Sequence, residues 1–354
     1  MQRILFGNDG INELSGLMGS AGNPLLVCES FFVGSPVYNE IEALPLRVTV
    51  FGGFSPNPKD EEAEAGFKVY EKSGCDSVIA VGGGSAIDTA KAIRRRAGGG
   101  GAEKTASIPF VAIPTTAGTG SESTRFAVIY KNGEKQSLSG DELLPDAALL
   151  MPCLLSSLPI FQRKCTVLDA LCQATESYWS VSSTEKSREL SKKAIGIILK
   201  NIYEYTEGST AADGEIMTAS NLAGQAICIT TTTAPHAMSY KLTSNYGIPH
   251  GLAVALTFPG VIGFMSDGRG ECVDPRGREF LDKRLAELAS FYGCEDVGSW
   301  ADEFRTILKR LGLSAPAVTE GEAEALASSV NAQRLKNNPV FLTAEELKEI
   351  YLNM

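Results

Sequence analysis

Histidine is nearly absent: the 354 residues contain two, His236 and His250, alongside only two tryptophans. A histidine-rich metal store is therefore excluded, and any imidazole chemistry is confined to one short segment. Basic charge is also in short supply. Thirty-two Lys and Arg stand against 42 Asp and Glu, a net charge of -10. The longest basic run, Arg94-Arg95-Arg96, is too short to overcome repulsion from a phosphate backbone, so no nucleic-acid partner is expected. No stretch reaches the ~18 uninterrupted apolar residues that cross a bilayer, and MQRILFGNDGINEL lacks the basic-then-apolar pattern of a secretion signal, so no membrane partner is expected. Eight cysteines lie scattered without a C-x-x-C pair, which fits a reducing cytoplasm better than a disulfide-stapled secreted module.

What is present is length for about two domains at roughly 150 residues each, and glycine in excess, 36 residues where a share of roughly 7% is usual. The two halves differ in pattern. The first alternates short β-rich apolar runs with helical segments and glycine turns, the pattern of a parallel sheet covered by helices. Leu25–Cys28, Arg47–Phe51, Ser77–Val81 and Phe110–Pro114 read as strands. Asp60–Ser73 reads as a helix, acidic in its first turn and with Lys near its end, as the helix dipole prefers. Beyond about Leu154 the periodic runs lengthen to helical size, at Val167–Ser180, Glu185–Tyr205, Glu215–Ile229, Glu279–Tyr292 and Val297–Leu311, with a short capped helix at Thr343–Leu352. The expected organisation is an α/β domain over 1–152 and an all-α domain over 153–354.

DSVIAVGGGSAIDTAKAI carries strand, glycine turn and helix in succession. Gly82, Gly83, Gly84 and Ser85 place a turn without bulky side chains before a helix N-terminus, where backbone N–H groups and the dipole approach a phosphate closely. The spacing is neither G-x-G-x-x-G nor a Walker A loop, and a tight strand-to-helix turn gives the same pattern. The run Gly98–Gly101 reads as a plain flexible loop. IPTTAGTGSESTRFAV follows a strand and is dense in hydroxyls suited to a ribose, a pyrophosphate or an amide. Glu29 follows the strand Leu25–Cys28, where a carboxylate accepts from a ribose 2′-hydroxyl and repels a 2′-phosphate, favouring NAD over NADP. An exposed surface Glu would look the same in sequence.

Asp169 and Gln173 stand at i and i+4 of a helical run, one above the other. On one straight helix His236 and His250 would lie roughly 21 Å apart, but Asn245, Gly247 and Pro249 are turn formers able to fold the second back toward the first. Asp169, Gln173, His236 and His250 would then form an O/O/N/N site for a divalent ion such as Fe(II), Zn(II) or Mn(II), acting as a Lewis acid on a carbonyl. Packing or capping is the ordinary role of either histidine taken singly.

Six ordered segments, FGGFSPNP, GCDSVIAVGGGSAIDTAKAI, IPTTAGTGSE, LDALCQATESYWS, TTTAPHAMSYKLTSNYGIPHG and NNPVFLTAEEL, together resemble the iron-containing (group III) alcohol dehydrogenases over nearly the whole chain. The resemblance implies an N-terminal Rossmann-like domain, a helical C-terminal domain of the type shared with dehydroquinate synthase, bound NAD(P)(H), a divalent metal with Fe(II) the family's usual ion, and a homodimer. It places Asn57, Thr115, Thr116 and Thr119 among the dinucleotide contacts with Gly83, Gly84 and Ser85, and Lys135 at the nicotinamide ribose. The family's ion ligands are one Asp and three His. Asp169, His236 and His250 match, and Gln173 occupies the remaining histidine position. A neutral amide oxygen binds borderline metals more weakly than imidazole. Tyr240 stands where many relatives carry a histidine that relays a proton, and a phenol with an ordinary pKa near 10 relays poorly at neutral pH unless something lowers it.

The Gln and Tyr variants resemble the phosphonoacetaldehyde reductase subgroup. The expected activity is thus NAD(P)H-dependent reduction of a small aldehyde, phosphonoacetaldehyde foremost, with Tyr240, His236 and His250 at the reacting centre. Arg125 and Lys241 are candidate partners for the substrate's anionic group, with Arg163 and Lys164 behind them. The alternatives are a general short-chain alcohol dehydrogenase, a sugar-phosphate cyclase of the dehydroquinate synthase type, and a nucleotide-binding member without a metal.

Overall fold

The computed structural model describes residues 2–354, which divide into two compact units between Leu158 and Pro159. The division falls beyond the expected 152/153 boundary because the single turn Pro152–Leu155 stays with the first unit.

The first unit is built on six parallel strands, β1 (Arg3–Phe6), β2 (Pro24–Cys28), β3 (Thr49–Phe51), β4 (Ser77–Gly82), β5 (Phe110–Pro114) and β8 (Ala147–Leu150), in the order β1-β8-β5-β4-β2-β3. A separate antiparallel hairpin joins β6 (Phe126–Lys131) to β7 (Glu134–Ser139). β2, β4 and β5 are buried along their whole length. Successive residues point to opposite faces, which is why the strands read as continuous apolar runs. Leu26, Ile79, Val111 and Leu149 fill the core on one face, with Leu14 and Ile41. Leu25, Val78, Ala80 and Ala112 fill the other, against Ile87 and Ile93 of the helix Gly84–Ala97. Each fully buried Leu, Ile or Val among them contributes about 1.5–3 kcal/mol. After β3 the chain crosses back to β4 on the far side of β2. The crevice outside the carboxyl ends of β2 and β4 is therefore the topological switch point, the usual ligand position in an open α/β sheet.

The four expected strands and the helix now bounded at Asp60–Lys72 are present. β1, β8 and the hairpin were not anticipated. Gly98 is more than loop: a Cβ there would lie 2.1 Å from Thr105 Oγ1 and 2.7 Å from its backbone N, so this close approach requires glycine.

The second unit is helical. Its helices are Ile160–Trp179, Glu185–Thr206, Asp213–Thr230, Ala234–Tyr246, His250–Ser266, Arg278–Phe291, Trp300–Arg310, Glu320–Ser328, Ala332–Leu335 and Ala344–Leu352. Thr343 caps the last of these in a capping box with Glu346. Among the described residues no helix is long and apolar enough to cross a membrane.

One buried cation organises the first unit around the switch point. Lys91 Nζ, on the helix Gly84–Ala97, directs its three N–H groups at the carbonyls of Ser121 (2.7 Å), Thr124 (2.9 Å) and Phe126 (2.8 Å), with the hydroxyls of Ser121 (3.2 Å) and Thr124 (3.0 Å) also within hydrogen-bond distance. Asp88, one turn earlier, accepts from Ser121 Oγ and from the Val128 N–H. The loop after β5 is thus pinned to the helix after β4. Replacing Lys91 by Met would remove the ammonium that these buried acceptors share and the cation nearest Asp88. Lys91→Met is expected to lower stability by about 3 kcal/mol in urea unfolding; an unchanged midpoint would contradict the assignment.

Candidate functional site

Glu29, Asn57, Gly83, Gly84, Ser85, Thr115, Thr116 and Thr119, the residues expected from the sequence to contact a dinucleotide, lie close together at the switch point, whereas Lys135 stands on the hairpin. Gly82 ends β4 with φ at 154°, Gly83 precedes the helix Gly84–Ala97 at its N-cap, and no side chain caps that helix. A Cβ at Gly82 would lie 2.5 Å from Glu29 Oε2 and 2.6 Å from the Ala86 Cβ, and one at Gly84 would lie 2.9 Å from Thr119. Thr116 stands against Gly83 in the same way at 3.3 Å, and the Thr115 N–H donates to the Gly82 carbonyl at 3.0 Å. Asn57, in the left-handed region at φ 60°, brings its backbone N–H to Ser85 Oγ at 3.4 Å. Lys135 lies on β7, opposite Tyr130 of β6.

Glu29 follows β2 directly. Burial raises the pKa of its carboxyl, and hydrogen bonds from the N–H groups of Glu29 itself and Gly83 work against that rise. Its Oε2 is buried without a hydrogen-bond partner, an acceptor suited to a ribose hydroxyl. The cradle of small residues, the uncapped helix N-terminus and this orphaned acceptor fit a dinucleotide.

The ion residues converge in the helical unit. The helix Ala234–Tyr246 stops at Gly247, a left-handed C-cap at φ 67°, and Pro249 starts the next helix at His250. The turn brings the His236 and His250 ring centroids to 5.3 Å. Gly251 explains how His250 reaches Asp169: a Cβ there would lie 2.1 Å from the Cys165 carbonyl oxygen and 2.8 Å from the Asp169 Cβ. Ligand atoms of Asp169, His236 and His250 all lie within 4.8 Å of one another. Gln173, buried one turn beyond Asp169, donates its amide N–H to that carboxylate.

Sequence reasoning missed the groups behind these ligands. Glu176, fully buried, hydrogen-bonds His236 Nδ1 through Oε1. Its Oε2 accepts from the Thr233 N–H at 2.6 Å and the Thr233 hydroxyl at 2.9 Å. That hydroxyl is itself held by Trp179 Nε1 at 2.9 Å. Burial would lower the His236 pKa, but Glu176 and Asp169 outweigh it and push it up to about 9. The same histidine bonds lower the pKa of Asp169 against the cost of its burial. With Nδ1 committed to Glu176, Nε2 faces Asp169 at 3.2 Å. Ser239 does the same for His250. Its hydroxyl donates to the His236 carbonyl at 2.8 Å, so its oxygen is left to accept from His250 Nδ1 at 3.2 Å. Each ligating nitrogen is thereby fixed by a partner on the other nitrogen, as in metal-bound histidines. One carboxylate and two oriented imidazoles fit a divalent ion of borderline character. The signal available in the sequence was Glu176 itself, seven residues and two helical turns beyond Asp169.

Tyr240 stacks on His250 with the rings at 10° and 6.1 Å. The candidate cations are placed differently from one another. Arg163 is buried in an ion pair with Asp213 at 2.7 Å and lies over the Tyr205 ring. Lys164 donates to the Leu311 carbonyl at 2.7 Å. Arg125 pairs with Asp141 at 2.9 Å beside the hairpin. Lys241 is exposed.

Comparison with known proteins follows the same two-part division. Residues 1–152 match the family model for iron-containing alcohol dehydrogenase, and residues 164–354 match that for the C-terminal part of the Fe-containing alcohol dehydrogenase family. Phosphonoacetaldehyde reductase of Streptomyces viridochromogenes is 30% identical, with 96% of this chain and 93% of that protein aligned. Among solved structures, sulfoacetaldehyde reductase from Bifidobacterium kashiwanohense in complex with NAD+ is 28% identical with a TM-score of 0.85, over 99% of this chain and 96% of that one. The iron-containing alcohol dehydrogenase of Thermococcus thioreducens shares the fold at a TM-score of 0.89 and 24% identity, over 99% of this chain and 97% of that one.

Two outcomes follow from the geometry. Glu176→Gln keeps the shape but removes the charge that orients His236, and is expected to weaken divalent-metal affinity about 10–100-fold, read by competition with a chelator. Gly82→Ala sets a side chain against Glu29 at a φ that L residues rarely adopt. It is expected to cost about 1–3 kcal/mol of stability and to weaken NADH binding in a fluorescence titration; wild-type affinity would contradict the cradle.

Proposed function

The chain belongs to the iron-containing alcohol dehydrogenase family and is an NAD-dependent oxidoreductase of alcohols and aldehydes, and on that premise we propose that it reduces phosphonoacetaldehyde to 2-hydroxyethylphosphonate. The observation that carries the reading is the altered ion site: Asp169, His236 and His250 stand with Gln173 in place of a further imidazole and Tyr240 stacked on His250. The likeness to a phosphonoacetaldehyde reductase along almost the whole chain agrees with it.

In this reading NAD(P)H supplies the hydride and the divalent ion, Fe(II) by family habit, supplies Lewis acidity at the aldehyde oxygen. Gly82 to Ser85, Thr115, Thr116, Thr119 and Asn57 hold the dinucleotide, and Glu29 selects the unphosphorylated ribose. Asp169, His236 and His250 hold the ion, with Gln173 beside them. Glu176 and Ser239 keep the two imidazoles in the tautomer that presents Nε2. Tyr240 is the group assigned to pass a proton to the product oxygen.

The test is steady-state oxidation of NADH by the purified protein supplied with Fe(II), Zn(II) or Mn(II). Phosphonoacetaldehyde is expected to give a kcat/KM about 100-fold above that of propanal, the margin that one well-made recognition of a charged group supplies. Equal values would reduce the assignment to a general short-chain alcohol dehydrogenase. Absence of any aldehyde-dependent oxidation with all three metals would overturn the enzymatic reading.

A further inference from the structure

An anionic aldehyde needs a cation within reach of the ion site. Arg163 and Lys164 are engaged elsewhere in the helical unit. Arg334, which no sequence motif singled out, is not. It lies on the short helix Ala332–Leu335, partly buried, and its Nη1 donates to the Tyr240 hydroxyl at 3.0 Å. Its guanidinium carbon lies 5.1 Å from the centre of the Tyr240 ring, the ring that stacks on His250. Among the described residues, no carboxylate lies within ion-pair distance of it.

The segment that carries Arg334 is anchored to the loop that leads into the His236 helix. Asn337 donates to the carbonyls of Thr230 at 2.7 Å and Thr232 at 3.1 Å, and accepts from Ser180 Oγ at 2.8 Å. Arg334 is thus held in place relative to His236, Tyr240 and His250, with its charge uncompensated by protein. A guanidinium fork matches two oxygens of a tetrahedral oxyanion in a way a lysine ammonium does not.

We infer that Arg334, steadied by Tyr240, is the specificity-determining residue of this site and binds the tetrahedral oxyanion headgroup, phosphonate or sulfonate, of a two-carbon aldehyde. By ordinary bond lengths such an aldehyde spans about 4 Å from carbonyl oxygen to the headgroup's central atom. Such a substrate would lie along the Tyr240 ring, whose centre is 6.1 Å from that of the His250 ring and 5.1 Å from the guanidinium carbon, with its headgroup toward Arg334. This inference rests on the aldehyde-reductase reading proposed above and adds the residue that would set its selectivity.

The experiment compares wild type, Arg334→Met and Arg334→Lys with phosphonoacetaldehyde, sulfoacetaldehyde and propanal as substrates. A calorimetric titration of 2-hydroxyethylphosphonate into the enzyme saturated with NAD+ gives a readout independent of turnover. In Arg334→Met the preference for the anionic aldehyde over propanal is expected to fall about 100-fold, mostly through KM, with a parallel loss of 2-hydroxyethylphosphonate binding. Arg334→Lys is expected to recover part of both. Preference of the wild type for sulfoacetaldehyde, lost in Arg334→Met, would uphold the inference and change only the headgroup's central atom. A wild-type preference for an anionic aldehyde that survives in Arg334→Met would overturn the inference alone. A wild type that favours propanal would overturn the substrate reading and the inference with it.

Discussion

The hydrogen bond between Glu176 and His236 is the interaction on which the ion site depends. A carboxylate with no solvent exposure is costly to keep charged, by several kcal/mol unless its lone pairs are filled. Here they are filled by the Thr233 N–H and hydroxyl and by the imidazole. Trp179 secures that hydroxyl and is itself stacked on Phe258 and set edge-on to Trp300. The polar network therefore ends in packed aromatic rings rather than in water, and the orientation of His236 is backed by the core of the helical unit. The proton and the divalent ion compete for the same nitrogen, and Glu176 strengthens both, as the imidazole pKa near 9 records. What favours the metal over the proton is the convergence of Asp169 and His250 on the same point.

Close approach is the second constraint, and glycine supplies it in both units. Gly251 lets the helix His250–Ser266 press its first turn against the helix Ile160–Trp179, setting His250 beside Asp169. Gly82 and Gly84 let the turn after β4 press against Glu29 and Thr119. In each place any side chain would separate the groups that the chemistry needs together. The glycine excess noted in the composition thus has positional content. The same residue type opens a turn before a helix N-terminus in one unit and sets two candidate ion ligands side by side in the other.

Much of this was legible in the sequence because it depends on local pattern. Uninterrupted apolar runs marked the buried strands β2, β4 and β5, and the turn formers Asn245, Gly247 and Pro249 allowed two histidines 14 positions apart to meet. The edges of the sheet were not legible. β1 is only four residues long and mostly exposed, and β8 is a four-residue apolar run of no distinctive period. The hairpin had a sequence signal in the dipeptide Asn132-Gly133, whose residues both adopt positive φ in the turn, but the charged residues on either side of it obscured the strands. Glu176 and Arg334 were hidden for a different reason. Each matters through a partner 60 or more positions away in the chain, His236 for one and Tyr240 for the other; the two-turn spacing from Asp169 was the one local sign of Glu176, and Arg334 had none.

Charge balance connects the departures in the ion site to the cation beside it. A divalent ion held by Asp169 and two neutral imidazoles retains one positive charge, and Glu176 behind His236 offsets it. Gln173, being neutral, changes nothing in that sum, so the ion site as a whole offers a dianionic headgroup no net attraction. A protein with a net charge of -10 supplies no favourable background field either. For an anionic aldehyde, attraction would have to come from a cation that protein carboxylates leave uncompensated; Arg334 against Tyr240 is such a cation, Lys241 stands exposed, and Arg163 is spent on Asp213. A histidine at position 240 would place a titratable cation against Arg334. A phenol instead accepts the guanidinium N–H through its oxygen and presents its ring face to the charge. The tyrosine and the arginine are thus physically matched, and the replacement at position 240 is better understood as accommodation of that cation than as decay of a proton relay.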